Sequence, residues 1–165
     1  MSDAAAGPVT RVGDGEAVEL GSFGARFLLE AAASGGHVAV VEHWVPPRTL
    51  AAPLHRHSRE DEYSLVLKGR MTAQLGEGVV EAGPGDFVRK PRGEWHTFWN
   101  AGDEECRFIE LITPAGFEAM FKEMAADPDA MAGEAAAALD AKYGIDVDYG
   151  SIDRLCAAHG LSFPA

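Results

Sequence analysis

Two histidines one residue apart, His55 and His57, followed after four residues by Glu62 and further along by His96, constrain the fold of this chain more than any other feature. In an extended strand successive side chains alternate between faces, so His55 and His57 project the same way and can grip one ion as a pair. Three imidazoles and one carboxylate suit a borderline divalent ion such as iron(II), manganese, nickel, copper or zinc, whereas calcium and magnesium favour all-oxygen sites. Taken alone, His-x-His is equally compatible with solvated or hydrogen-bonded strand residues. The surrounding sequence is what separates the two readings.

From His55 the chain reads His-x-His, four residues, Glu62, six residues, Gly69. A second ordered string follows: Gly85, five residues, Pro91-Arg92-Gly93, two residues, His96, three residues, Asn100. These strings resemble the paired motifs of the cupin superfamily, and the second matches at every signature position. The first departs once, because Thr49 stands where a glycine is usual six positions before the first histidine. That glycine helps a turn and binds no metal, so the departure bears on the local loop. Fifteen residues, 70–84, lie between the motifs, a compact spacing similar to that of small microbial cupins, and the resemblance covers about residues 36–114. It implies that His55, His57, Glu62 and His96 bind one metal at the centre of an antiparallel double-stranded β-helix, the cupin jelly-roll barrel.

The residues support a mainly β fold without the resemblance. Short apolar or alternating runs at 65–67, 71–75, 79–80, 87–88, 95–99 and 108–112 are separated by Lys68-Gly69, Gly76-Glu77-Gly78, Gly83-Pro84-Gly85, Pro91-Arg92-Gly93 and Asn100-Ala101-Gly102-Asp103. This is the strand-and-turn rhythm of an antiparallel sandwich or barrel, and each glycine or proline is explained by its turn. Upstream, 23–30 and 37–45 read as two strands around a Ser34-Gly35-Gly36 turn. The expected organisation is a flexible N-terminal arm over 1–16, the barrel over 17–114, and a C-terminal helical extension of the same domain over 115–165.

After Pro114 the composition turns alanine-rich. Phe117, Met120, Phe121 and Met124 recur at helical spacing, and Met131, Ala135 and Leu139 continue the pattern beyond Pro128. Ser151 is placed to cap a third short helix running to about His159 and ended by Gly160. These helices are expected to pack on the barrel or on a partner subunit, with their Met and Phe stripe as core.

With 165 residues and 47% hydrophobic content the chain can bury one core, with little room for a second. The first residues lack the basic and apolar regions of a secretory signal, and no run approaches the roughly 20 apolar residues that span a bilayer. A cytoplasmic location is the expectation. Cys106 and Cys156 form neither a metal-binding repeat nor a disulfide framework and are read as reduced, packed residues.

The net charge of −12 argues against nucleic acid and anionic membranes as partners. Yet residues 48–92 hold eight Lys or Arg against six Asp or Glu, about +2, which leaves −14 for the rest. Arg89-Lys90-Pro91-Arg92 could draw an anionic substrate toward His96, although solvated surface charge is the favoured reading. His37 and His43 fall outside the motifs and are read as hydrogen-bonded or exposed, and His159 as a surface or packing residue. Glu60 and Asp61 adjoin Glu62, but only Glu62 has the family spacing, so the other two are read as solvated.

The chain is similar overall to small single-domain cupins of the quercetin-dioxygenase-like type, through Pro53-Leu54-His55-Arg56-His57 and Pro91-Arg92-Gly93-Glu94-Trp95-His96. Three classes of function follow from that resemblance. The preferred one is a metal-dependent dioxygenase acting on a small enediol, diketone or flavonol-like substrate, with Glu62 available as a base and Phe98, on the face of His96, as a pocket wall. The others are a metal-dependent isomerase or epimerase and a non-catalytic small-molecule or metal-binding domain. Because a shared barrel does not identify a substrate, the three stay open here. A homodimer is expected from the apolar helical tail and from the dimers common among cupins.

Overall fold

The computed structural model describes residues 7–127 and 129–164, so Met1 to Ala6 of the expected flexible arm, together with Pro128, lie outside the described residues. Twelve strands are present among them: β1 (Ala17–Glu19), β2 (Gly24–Leu29), β3 (Ala39–Val45), β4 (Thr49–Leu50), β5 (Leu54–His57), β6 (Asp61–Lys68), β7 (Met71–Leu75), β8 (Gly78–Ala82), β9 (Phe87–Lys90), β10 (His96–Asn100), β11 (Cys106–Thr113) and β12 (Ile145–Asp148). The helices are α1 (Ala31–Ser34), α2 (Ala119–Ala126), α3 (Gly133–Tyr143) and α4 (Ser151–His159).

The strands form where side chains alternate. In β3 Ala39, Val41, His43 and Val45 are buried, and in β11 Cys106, Phe108, Glu110 and Ile112 are, with the intervening residues only partly covered. Two six-stranded antiparallel sheets result. One runs β1-β2-β3-β11-β6-β9; the other runs β12-β5-β10-β7-β8, with β4 added against β10. The mainly β architecture with C-terminal helices is therefore as the sequence predicts. The apolar core lies on the inward faces, where Phe27, Val41, Val66, Met71, Phe108 and Ile112 are almost fully buried. Each such side chain contributes about 1.5–3 kcal/mol by leaving water.

Two backbone details follow from local sequence. Thr49, standing where a glycine is usual in the motif, is a buried strand residue, and the left-handed conformation falls one position earlier, on Arg48 with φ 54°. Gly24 lets the Trp44 indole of the neighbouring strand lie over it, and a Cβ there would force that ring to move.

The part of the N-terminal arm that is described is tied to β2: Arg26 Nη1 donates to Gly13 O at 3.0 Å and Phe27 N to Glu16 O at 2.9 Å.

The tail requires three corrections. The extension expected over 115–165 is not wholly helical, because residues 145–148 within it form β12, which pairs antiparallel with β5 along its whole length. The inward position of α3 is Ala136, with Leu139, whereas Ala135 is exposed and Met131 precedes the helix at 37% exposure. Finally, Ser151 does not cap α4. Gly150 holds the cap position, and Ser151, fully buried, accepts the Leu54 N–H through Oγ at 2.8 Å.

α2 closes one end of the barrel. Its Phe121 meets Phe23 edge-on at 5.7 Å and His43 at 5.2 Å. α4 instead packs on the outside, where Leu155 joins Leu50 and Trp99, and His159 lies against the Trp99 ring at 4.5 Å. Both cysteines are free. Among the described residues no helix is long and apolar enough to cross a membrane.

Candidate metal centre and its cavity

Strand register assembles the centre. His55 stands directly opposite His96 in the β5–β10 pair, and His57, two residues along β5, points to the same side. Glu62 comes from the other sheet, on β6. One ligand-type atom from each of the four residues lies within 4.8 Å of all the others, and all four atoms are buried. Glu62 Oε2 is 3.3 Å from His96 Nε2 and 3.5 Å from His57 Nε2. The His57 and His96 rings are nearly parallel at 5.4 Å, and His55 meets His96 edge-on at 4.5 Å.

The imidazoles are oriented from behind. His55 Nδ1 bonds Pro53 O at 2.7 Å and His96 Nδ1 bonds Glu94 O at 3.1 Å. A carbonyl accepts only from N–H, so each bond places the proton on Nδ1 and leaves the Nε2 lone pair for the centre, the tautomer a metal needs. Burial lowers the pKa of both rings, and for His55 the neighbouring His96 and His57 lower it further. His57 differs: burial opposes its protonation, but Glu62 and Glu60 outweigh that and raise its pKa. Glu62 is held well below the usual carboxylate range, because His57, Lys90 and His96 together overcome the penalty of burial.

The donor set suits a cation. Both nitrogens of His57 and Nε2 of His96 are buried without a hydrogen-bond partner. Such groups cost about 1–3 kcal/mol each when left unsatisfied, and a metal ion shared with Glu62 would satisfy the two Nε2 atoms at once. Three imidazoles and a carboxylate that could hold one metal ion are thus in place.

Behind the ligands lies an ionic network that sequence reading misassigned. Lys90, read as a solvated charge, is 1% exposed. It stands opposite Glu62 in the β6–β9 pair and binds Glu110 Oε2 at 2.7 Å and Glu62 Oε2 at 3.5 Å. Burial works against its charge, but the two carboxylates raise its pKa. Glu110, opposite Ser64 in the β6–β11 pair, also accepts the Ser64 hydroxyl at 2.9 Å, and burial pushes its carboxyl up to about 7 despite Lys90. Glu60, also read as solvated, is 6% exposed, with Oε2 3.4 Å from His57 Nδ1. Asp61 is half-buried and pairs with Arg92 at 2.8 Å. Strand parity was the available signal: Lys90 shares the inward parity of Val88, and Glu110 that of Phe108 and Ile112.

His43 is buried, bonds Gly24 O through Nδ1 at 3.0 Å, and is lowered to about 4 by burial. His37 is exposed. Neither joins the cluster.

A cavity of about 440 Å³ reaches the centre at His55 and Glu62. Its inner walls are Phe98, Phe117, Met120 and Phe121, and β12 adds Ile145 and Val147. Phe98, expected as a pocket wall, lies there, and Phe117 meets the His57 ring edge-on at 4.4 Å. The charged groups on the lining are acidic, and no Lys or Arg is among the described residues that form it. Arg92 faces outward toward Asp61 and Lys90 is taken up by two carboxylates, so the basic run does not present a free cation to the cavity.

A cupin domain model matches residues 42–112. Among solved structures, the polyketide cyclase RemF from Streptomyces resistomycificus is 30% identical, with 65% of this chain and 78% of that one covered and a TM-score of 0.55. A predicted oxalate decarboxylase from Thermotoga maritima shares the fold at 24% identity, covering 56% of this chain and 80% of that one, with a TM-score of 0.53. A sugar phosphate isomerase from Silicibacter pomeroyi is 24% identical with a TM-score of 0.49; the match covers 56% of this chain and only 59% of the isomerase. No curated protein matches by sequence. With two antiparallel sheets closed around a three-histidine, one-glutamate cluster, a cupin domain model matched over residues 42–112 and the 30% identity to the cyclase, the chain belongs to the cupin superfamily.

Proposed function

We propose that this cupin is a metal-dependent enzyme for a small, largely apolar, oxygenated substrate that can enolise, and that it promotes a redox-neutral ring closure or related carbon–carbon rearrangement. The observation that carries this reading is the convergence of His55, His57, Glu62 and His96 at the inner end of a cavity walled by Phe and Met. A lining without Lys or Arg among the described residues suits a neutral aromatic-sized molecule better than a phosphorylated sugar. The 30% identity to a polyketide cyclase points the same way.

A divalent transition ion at this centre supplies Lewis acidity toward a carbonyl or enol oxygen and, if redox-active, a route for electrons to dioxygen. The remaining work belongs to the chain. His55, His57 and His96 would hold the ion through neutral Nε2 atoms, two of them preset by their carbonyl partners. Glu62 stays ionised beside Lys90 and is positioned both to ligate and to accept a proton at Oε2. Phe98 and Phe117 exclude water from the inner end.

A second reading, dioxygenation of an enediol, diketone or flavonol-like substrate, is favoured by the two motif strings around His55 and His96. Reconstitution separates the two. The metal-free protein is loaded anaerobically with zinc, manganese, iron(II), nickel or copper and offered diketones, flavonols and aromatic polyketide-like precursors. Turnover by the zinc form without oxygen uptake supports ring closure; oxygen consumption confined to redox-active metals supports dioxygenation. A fully loaded protein that turns over none of them would favour the binding module. Homodimer formation is part of the proposal, supported now by exposed Val79, Val80 and Phe87 on the barrel edge strands, and light scattering tests it.

A further inference from the structure

Glu110 is a buried carboxylate of which only half is used, a pattern that Asp140 repeats farther along the cavity lining, where Oδ2 accepts the Tyr149 hydroxyl at 2.9 Å and Oδ1 has no partner. Oε2 accepts both from Lys90 Nζ at 2.7 Å and from the Ser64 hydroxyl at 2.9 Å. Oε1 is buried with no hydrogen-bond partner, on a residue 2% exposed that lines the cavity beside Phe98 and Glu62. A carboxylate oxygen left bare in an apolar wall costs about 1–3 kcal/mol or more, a cost that a donor entering the cavity would offset.

Strand geometry keeps Oε1 where it is. Glu110 pairs across β6–β11 with Ser64, and Lys90 pairs across β6–β9 with Glu62, so the side chains that hold Oε2 issue from rigid neighbouring strands. Lys90 in turn lies over the Phe98 ring at 4.9 Å and is not among the residues that line the cavity. With Lys90 already shared between two carboxylates, the cation cannot turn to meet an incoming anion. An anionic substrate group would instead face Oε1 and be repelled.

We propose that Glu110 is a specificity-determining residue whose free Oε1 accepts a hydrogen bond from a neutral hydroxyl, phenolic in character, on the substrate. The inference rests on reading the cavity as the substrate site and deepens it: the substrate carries a hydroxyl donor on its apolar body, separate from the oxygen directed at the metal ligands. Glu110→Gln turns this requirement around. Lys90 and Ser64 are both donors, so the amide oxygen takes their side and the amide N–H₂ faces the cavity, replacing an acceptor by a donor with little change of shape.

The test uses phenol and anisole, which share a ring and differ in the donor, with dissociation constants measured by titration NMR on the folded protein. Wild type should bind phenol at least about tenfold more tightly than anisole, and Glu110→Gln should erase or reverse that ratio while circular dichroism shows the β fold retained. An unchanged ratio in Glu110→Gln, or no preference in wild type, overturns the proposal. If Glu110→Gln does not fold, a crystal of wild type soaked in phenol decides the matter: the phenol oxygen should lie about 2.7 Å from Oε1, and phenol seated anywhere else overturns it. A parallel arm, 3-hydroxyflavone added to the zinc-loaded protein, reports on the metal reading alone. Phenol discrimination without chelation of the flavonol would leave Glu110 in its role and remove the proposed metal chemistry; chelation without discrimination would do the reverse.

Discussion

The two halves of the molecule touch the same strand in opposite ways. On its inner face β5 carries His55 and His57, and the groups they meet, His96 and Glu62, sit at positions dictated by short antiparallel registers. Along its outer edge β5 is bound by β12, some ninety residues later in sequence (Arg56 to Asp146, 90 positions apart), through Arg56–Asp146 at 2.8 Å and Ser58 to Gly144 O at 2.6 Å. The inner face depends on side-chain type at fixed spacing, whereas the outer edge adds those two side-chain bonds to an antiparallel backbone ladder that many sequences could make. The ligand set and its support are therefore encoded by different means. One is written as residues, the other as a strand that becomes one only by pairing.

The largest effect expected from breaking the inner half is on metal. His57→Ala or His96→Ala should lower metal affinity by more than about 100-fold, because no neighbour supplies a replacement imidazole, while circular dichroism keeps its β signature. Metal analysis of the purified variants checks this, and wild-type metal content in either would remove the ligand assignment.

Breaking the outer half should do the reverse, lowering stability with metal largely kept. Gly144 has φ +66°, and a Cβ there would lie 2.6 Å from Ser58 Oγ and 2.7 Å from Arg59 Nε. Gly144→Val is expected to cost about 1–3 kcal/mol in urea unfolding. A variant that lost its metal as fully as His96→Ala, with unchanged stability, would show that β12 serves the site rather than the fold.

The barrel interior offers a pH test away from the ligands. The pKa of His43 is lowered by burial to about 4 from an ordinary 6.5, so between those values the unfolded chain binds a proton that the folded one does not. Stability from this residue is present above about 6.5 and is lost as pH falls toward 4, by about 1–3 kcal/mol. Metal-free His43→Asn, compared with metal-free wild type, should show a shallower acid loss; parallel curves would refute it.

The smallest effects separate the three adjacent acids. Glu60→Gln should weaken metal binding about tenfold by loosening His57 at Nδ1. Asp61→Asn, which breaks only the exposed pair with Arg92, should leave metal content unchanged. Isothermal titration with zinc reads both, and the opposite order would mean that Asp61 supports the centre.

The legible parts of the fold share one property, that neighbours in sequence carry the signal. The turns at Gly69, Gly85 and Gly93 take positive φ and separate strands within a few residues of their expected limits. The helix at Ser151–His159, ended by Gly160, was equally local. Lys90 and Glu60 were misread because charged residues are usually solvated, and only their partners across the sheet make burial tolerable. Ser151 was misread for a similar reason: a serine before a helix usually caps it, but here the Leu54 N–H competes for its oxygen.

By itself, then, the sequence determined the strand-and-turn rhythm, the cupin resemblance and the four ligand-type residues, since alternation and glycine-driven turns act over a few residues. Tertiary structure decided that Glu110 and Lys90 lie inside the barrel as a half-satisfied pair, that residues 145–148 become a strand, and that the cavity is walled by α2 and β12. Each of these depends on a partner far away in sequence, and the energy that selects them, burial balanced against hydrogen bonding, exists only once that partner has arrived.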